Sequence, residues 1–390
     1  SRPRSRARVA ATVGMSAQSP AAAPVNYDQF VRKLTIPRPV SFILCTALLA
    51  SVFVVAVRIR LFAVITYGRI IHEFDPWFNY RATEYMVEHG YAKFEAWYDD
   101  KVWYPLGRHV GSTTYPGLQL TAYALHELLK HVHPMSVNDV CVLMPAAFGG
   151  FASLLCGALA YEVTFSRAAA ISAAALMAVM PAHLMRSVAG GFDNESIAVT
   201  ALCATFYLWA RALRSAAAWP YALLCGVAYA YMVAAWGGYL FVLNMIGVHA
   251  LTLVLLGRFS HKLWRAYSLW FAIGTAGALL GPARYLVGWQ PLQSMEQIGP
   301  LLVFGLLQGL QLAASLAHRL KLDPARAAVL RMQVLGAGGL LAALAAAALL
   351  PSDFLGPLSA RVRSLFIAHT KTGNPLVDSV AEHQATPTVV

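Results

Sequence analysis

The part of this sequence best suited to chemistry is a glycine-flanked turn, Arg186-Ser187-Val188-Ala189-Gly190-Gly191-Phe192-Asp193-Asn194-Glu195-Ser196, with Asp193 and Glu195 two residues apart. Carboxylate oxygens at that spacing can converge on one hard cation. The blander reading is an N-terminal cap for the helix that follows, where acids favour the helix dipole. One cap does not account for both acids together with Arg186 at the end of the preceding apolar run. Asn194-Glu195-Ser196 also has the form of a glycosylation acceptor, but it lies too close to an apolar run to serve as one. Two more acidic clusters stand elsewhere. His72-Glu73-Phe74-Asp75-Pro76-Trp77-Phe78-Asn79-Tyr80-Arg81 sets Asp75 ahead of a proline, and Asp378-Ser379-Val380-Ala381-Glu382-His383-Gln384 offers Glu382 beside a histidine. Taken singly, Asp75 reads equally well as a helix cap, and the last cluster reads as a solvated loop.

What positions these clusters is a membrane. The 390 residues are 58% hydrophobic and 12% charged, against about 25% charged in soluble domains. Runs such as 40–57, 168–185, 239–256 and 328–350 approach or reach the ~20 apolar residues that a helix needs to cross a bilayer. The expectation is an all-α polytopic membrane protein with about nine spans: 40–57, 144–164, 168–186, 196–212, 218–236, 238–256, 264–281, 299–317 and 328–350. Basic residues concentrate in alternate short loops, at Arg167, Arg211/Arg214, Arg258–Arg265 and His318–Arg326, which marks that side as cytoplasmic. Arg58, Arg60 and Arg69 run against the trend, but they belong to a long loop, 58–143, where the rule is weak. Pro116–His133 is apolar in its first half and charged in its second, and reads as an amphipathic helix within that loop. The Gly/Ala-rich stretch Leu335–Leu350 is expected to pack closely against other helices.

The formal charge of +12 follows from orientation in a membrane, so no nucleic-acid partner is expected. Five scattered cysteines without CxxC spacing read as small buried hydrophobes. The organisation expected is a basic, disordered cytosolic tail over 1–38, a bundle over 39–350, and an external segment over 351–390. The three acidic clusters follow the first, third and ninth spans, all odd, so all face one compartment. Carboxylates gathered at a membrane surface suit metal-assisted chemistry on a charged leaving group, such as a lipid-linked phosphate or pyrophosphate.

His72–Arg81 resembles the first acidic motif of the catalytic subunit of oligosaccharyltransferase. Trp103-Tyr104-Pro105-Leu106-Gly107-Arg108, with Tyr115-Pro116-Gly117, is similar to that family's first external loop. Arg186–Ser196 resembles the second acidic motif in its eukaryotic Asp-Asn-Glu form, and Ser379–Gln384 the eukaryotic form of the fifth-external-loop motif. The resemblance runs from about residue 40 to 384. It implies a helical bundle of the GT-C glycosyltransferase type, multi-pass in the endoplasmic reticulum membrane with its acidic loops luminal. By the same resemblance Asp75, Asp193 and Glu195 bind a divalent cation, commonly Mn²⁺ or Mg²⁺, that offsets charge on the pyrophosphate. Asp75 and Glu382 hydrogen-bond the acceptor asparagine's amide, whose nitrogen attacks the anomeric carbon with inversion, and Arg186 supports the site. The implied partners are a lipid-linked oligosaccharide, an acceptor polypeptide with an Asn-Xaa-Ser/Thr sequon, membrane lipid and further transferase subunits.

Two departures stand out. Ala385-Thr386 replaces the family's Pro-Thr, and the sequence stops at Val390, before the luminal domain whose Trp-Trp-Asp-Tyr-Gly motif reads the sequon. The 390 residues alone are therefore expected to be inactive. Rival readings are another lipid-phosphate-sugar transferase of the O-mannosyl type, an ion-coupled transporter, which would need acids inside its spans, and an inactive structural product.

Overall fold

The long apolar runs fold as helices because, in a lipid environment, only a helix satisfies every backbone N–H and C=O within one segment. The computed structural model describes residues 37–288 and 295–349. Glu382 and most of the basic tail thus lie outside the described residues. Contacts divide the chain into Ser1–Thr46 and Ala47–Val390. The boundary falls inside the first helix, and all that follows concerns the second unit.

The elements are α1 (Arg38–Arg60), α2 (Phe62–Tyr67), α3 (Phe74–His89), α4 (Tyr91–Glu95), β1 (Tyr98–Asp99), β2 (Arg108–His109), α5 (Val110–Thr113), α6 (Gly117–Lys130) and α7 (Val137–Thr164). There follow α8 (Arg167–Val179), α9 (Pro181–Met185), α10 (Asn194–Ala212), a 3₁₀ turn (Ala216–Ala218), α11 (Trp219–Ala235), α12 (Tyr239–Leu255), α13 (His261–Leu280), α14 (Met295–Arg319) and α15 (Pro324–Leu349). Helices cover all nine expected stretches. Five of them, at 39–60, 137–164, 216–235, 297–319 and 324–345, are long and apolar enough to cross a membrane, and α8 and α12 are shorter apolar helices.

Three expectations needed correction. The span 168–186 is two helices: Met180 is extended (φ −61°, ψ 121°) and Pro181 opens α9, because proline lacks an N–H and disfavours helical geometry in the residue before it. The helix expected from residue 144 begins at Val137, capped by Ser136, whose hydroxyl accepts from the Asp139 N–H. In the Gly/Ala stretch of α15 Leu335 packs at Gly309 of α14, but the glycines themselves make no close approach: a Cβ at Gly336, Gly338 or Gly339 would meet open space. Close approach occurs instead where α1 lies on α7, where a Cβ on Gly150 would sit 2.7 Å from the Phe53 ring.

The 58–143 region is a helical layer. The amphipathic reading of Pro116–His133 holds: α6 buries Leu118, Gln119, Ala122 and His126 while Leu128 is exposed. A small second core of Ala82, Met86, Phe94 and Val110 joins α3, α4 and α5. Beside it the β1–β2 pair aligns Tyr98 with His109 and Asp99 with Arg108. Arg81 grips Asp99 with two bonds, 2.7 and 3.0 Å. The cysteines are all free, with Cys141, Cys203 and Cys225 buried.

Candidate functional site

The turn between α9 and α10 is built around a glycine. Gly190 has φ +91°, and a side chain there would run into His72 and the Ile70 carbonyl, so only glycine fits. That closeness fastens the turn to the chain leading into α3. The His72 N–H donates to the Gly190 carbonyl (3.0 Å), and the Gly190 N–H donates to Val142 O of α7 (2.9 Å).

Asp193 then caps α10, its Oδ1 accepting the Asn194 N–H at 2.8 Å. The capping reading was therefore correct as far as it went. The same Oδ1 also accepts from the Asn79 amide at 3.3 Å, and that amide donates to the Phe192 carbonyl at 3.2 Å. Asn79 is held in turn by Gln119 of α6, whose Nε2 donates to Asn79 Oδ1 at 3.1 Å. The Asn194 amide donates to Ala235 O at the end of α11 (2.9 Å), so this member of the acidic motif ties helices together and is not presented as an acceptor. Gln119, Asn79 and Asp193 form a polar relay from α6 through α3 to the turn, in which the buried Gln119 Oε1 has no partner among the described residues.

Glu195, in the first turn of α10 and ahead of the expected span 196–212, faces Asp193. Burial and the Asp193 carboxylate push its acid up to about 7, while the Arg186 guanidinium acts the other way. Two half-buried carboxylates so placed cannot both ionise cheaply. Asp75 is exposed in the first turn of α3, one helical turn before Asn79 and on the same face. Since Asn79 bonds Asp193, the structure brings Asp75 to the same end of the bundle as Asp193 and Glu195. Among the described residues no three His, Cys, Asp or Glu side chains are already arranged to hold a metal ion. Asp193 and Glu195 are together, and Asp75 is exposed one turn ahead of Asn79 without completing a three-carboxylate group with them.

Sequence reasoning missed Asn79, Gln119 and Ser187. The signal for Asn79 was available, as the polar residue four after Asp75 within the first acidic motif. Gln119 gave none, because only the tertiary fold brings it near, while Ser187 stands inside the second acidic motif without being singled out there.

Membrane-length apolar helices packed as a bundle, with a carboxylate turn at one helix end, define a polytopic membrane protein. The backbone matches archaeal oligosaccharyltransferase AglB from Archaeoglobus fulgidus in complex with an inhibitory peptide and a dolichol-phosphate (TM-score 0.55, 19% identity, 77% of this chain and 37% of that one). It also matches the A. fulgidus enzyme in complex with Zn and sulfate (TM-score 0.58, 20% identity, 76% and 39%). At such identities these carry the fold. The family described as oligosaccharyl transferase STT3, N-terminal, matches residues 43–389, and the chain belongs to it. Relatives include the dolichyl-diphosphooligosaccharide–protein glycosyltransferase subunit stt-3 of Caenorhabditis elegans, 40% identical over 88% of this chain and 45% of its own length. The Saccharomyces cerevisiae subunit STT3 is 39% identical over 88% and 47%. The chain thus spans about half the length of the curated relatives it matches.

Proposed function

We propose that the chain forms the membrane part of an oligosaccharyltransferase catalytic subunit in the endoplasmic reticulum membrane. The complete protein transfers an oligosaccharide from a dolichyl pyrophosphate to the amide nitrogen of asparagine in Asn-Xaa-Ser/Thr. The observation that carries this is the fastening of the Asp193–Glu195 turn to the Asp75 helix through Asn79. It joins two acidic motifs, 114 residues apart in sequence, at the start of α10. The relatives are named for this reaction, and a solved neighbour was tethered to an acceptor peptide containing a sequon.

A divalent cation fits the residues present. The donors are hard carboxylate oxygens, and the Glu195 acid is raised first by burial and then by the Asp193 carboxylate beside it. Asp193, Glu195 and Asp75 would hold Mn²⁺ or Mg²⁺, and the cation would offset charge on the departing pyrophosphate. By the family resemblance Asp75 and Glu382 would hydrogen-bond the acceptor amide NH₂ and free the nitrogen lone pair from resonance. The nitrogen then attacks the anomeric carbon with inversion as the bond to the pyrophosphate oxygen breaks, and one amide proton passes to a neighbouring carboxylate and on to solvent. Arg186 stands beside the pair as a fixed positive charge.

The transporter reading asks for an acid inside the bundle. Glu162 is such an acid, but Arg211 and Arg214 both hold it at 3.3 Å, which leaves nothing for ion coupling. The test is glycopeptide formation by the complete protein from a dolichyl-pyrophosphate donor and a labelled Asn-Ala-Thr peptide. Product formation that stops on replacing the peptide Asn by Gln and on chelating divalent ions supports the reading. No product from the complete, assembled protein with cation present contradicts it.

A further inference from the structure

Arg60 is the residue that the charge pattern left unexplained. It ends α1, its side chain is fully buried, and no carboxylate bonds it among the described residues. A buried guanidinium without an anion is costly unless its donors are satisfied. Here Nη1 and Nε are taken up by carbonyls and a hydroxyl of the surrounding elements, while Nη2 is buried without a partner among the described residues. Nη1 donates to Ala56 O of its own helix and to Ala178 O at the end of α8, both at 2.9 Å. Nε donates to Ser187 Oγ at 2.7 Å, and that hydroxyl donates onward to His183 O of α9 at 2.5 Å. The Arg60 carbonyl accepts the Ala189 N–H at 2.9 Å. The side chain reaches these partners by crossing α7 at Gly149, where a Cβ would collide with Nε. Every bond beyond its own helix ends on α8 or on the turn between Arg186 and Asp193.

We propose that Arg60 is a positioning residue for the Asp193–Glu195 turn, a buried strut that fixes Ser187 and Ala189 so that the two carboxylates stand at the mouth of α10. Its link to catalysis rests on the function proposed above, while its effect on the turn does not. The role needs a planar fork that serves three acceptors at once. Lysine, a point charge on a flexible stem, cannot reproduce it.

Hydrogen exchange on the 390-residue chain in lipid nanodiscs tests this without any activity. Arg60→Met is expected to speed exchange of the Ala189–Gly191 amides by about tenfold or more, with the interior of α10 unchanged. Arg60→Lys should behave like Arg60→Met, because the fork and not the charge is at work. Wild-type exchange in either variant overturns the proposal. Should Arg60→Met fail to fold, Ser187→Ala removes a single bond, and about threefold faster exchange is expected there. Unchanged exchange in that variant is equally fatal. In the complete enzyme Arg60→Lys should lower kcat by about tenfold or more with the peptide KM unaltered. A rise in KM alone would show that the strut does not act on the carboxylates. If the wild-type complete enzyme transfers nothing, the proposed function fails and the exchange result still decides the strut.

Discussion

Helices α7 and α10 each present an acid near one of two opposite helix ends, Glu162 buried and Glu195 half-buried, and the two are treated in opposite ways. Glu162, in the last turn of α7, is nearly inaccessible and is clasped by Arg211 and Arg214 from the end of α10, each at 3.3 Å. Those arginines are braced in turn, Arg211 over the Tyr221 ring and Arg214 over Phe165. At the start of α10, Glu195 meets a second carboxylate, and burial with Asp193 lifts it to about 7. A charge answered within the fold is a structural joint. A charge left beside another of its own sign is a place where a cation from outside lowers the energy.

The sharpest way to break this comparison is to exchange the fates of the two acids. Replacing both Asp193 and Glu195 by Ala in the complete protein should lower glycopeptide formation on the order of 10³-fold or more. Glu162→Gln should leave turnover within about threefold. Equal losses at both ends would dissolve the distinction. Next in size is stability. Glu162→Ala leaves two arginines facing each other without an anion and should lower unfolding free energy by about 2 kcal/mol, read by denaturation in detergent. Glu195→Gln should leave the cation-free chain as stable as before or more so.

The fold was legible in the sequence to the extent that one physical rule governed it. Apolar run length set helix positions, and binary patterning showed that Pro116–His133 lies along a surface. The broken span at Met180–Pro181 was also written there, in a proline whose effect on the residue before it was passed over. The site was legible as motifs, since Asp75, Asp193 and Glu195 declare themselves by type and spacing. What holds them was not. Asn79, Gln119 and Arg60 act across 114, 40 and 127 residues of sequence, and single-chain patterning carries no information at that range. Charge counting set Arg60 aside as part of a long loop, whereas it ends α1 and its side chain is buried within the bundle.

The relay gives a smaller test. Asn79→Ala removes the amide that orients Asp193 and should weaken the apparent affinity for Mn²⁺ by about 10–100-fold. Gln119→Ala, one step further back, should do less. If Gln119→Ala costs more, the relay does not run in the order described. Smaller still is a pH effect. Glu195 is raised in the folded chain from its ordinary 4.5 to about 7, so the fold favours the protonated acid. That preference is fully present below about pH 4.5 and is lost as pH rises through about 7. The cation-free chain should therefore melt at lower temperature near pH 8 than near pH 5, with the difference reduced in Glu195→Gln. A melting temperature that moves the other way between these pH values, with the wild type and the variant alike, would remove Glu195 as its source.

The most direct measurement is Mn²⁺ binding to the 390-residue chain in nanodiscs, followed by the loss of the free-ion electron paramagnetic resonance signal at pH 7.5. The two ends of α7 and α10 predict one saturable ion, retained in Glu162→Gln and absent in the Asp193→Asn/Glu195→Gln double variant. Saturable binding that survives the double variant, or that disappears with Glu162→Gln in a folded chain, would contradict the account.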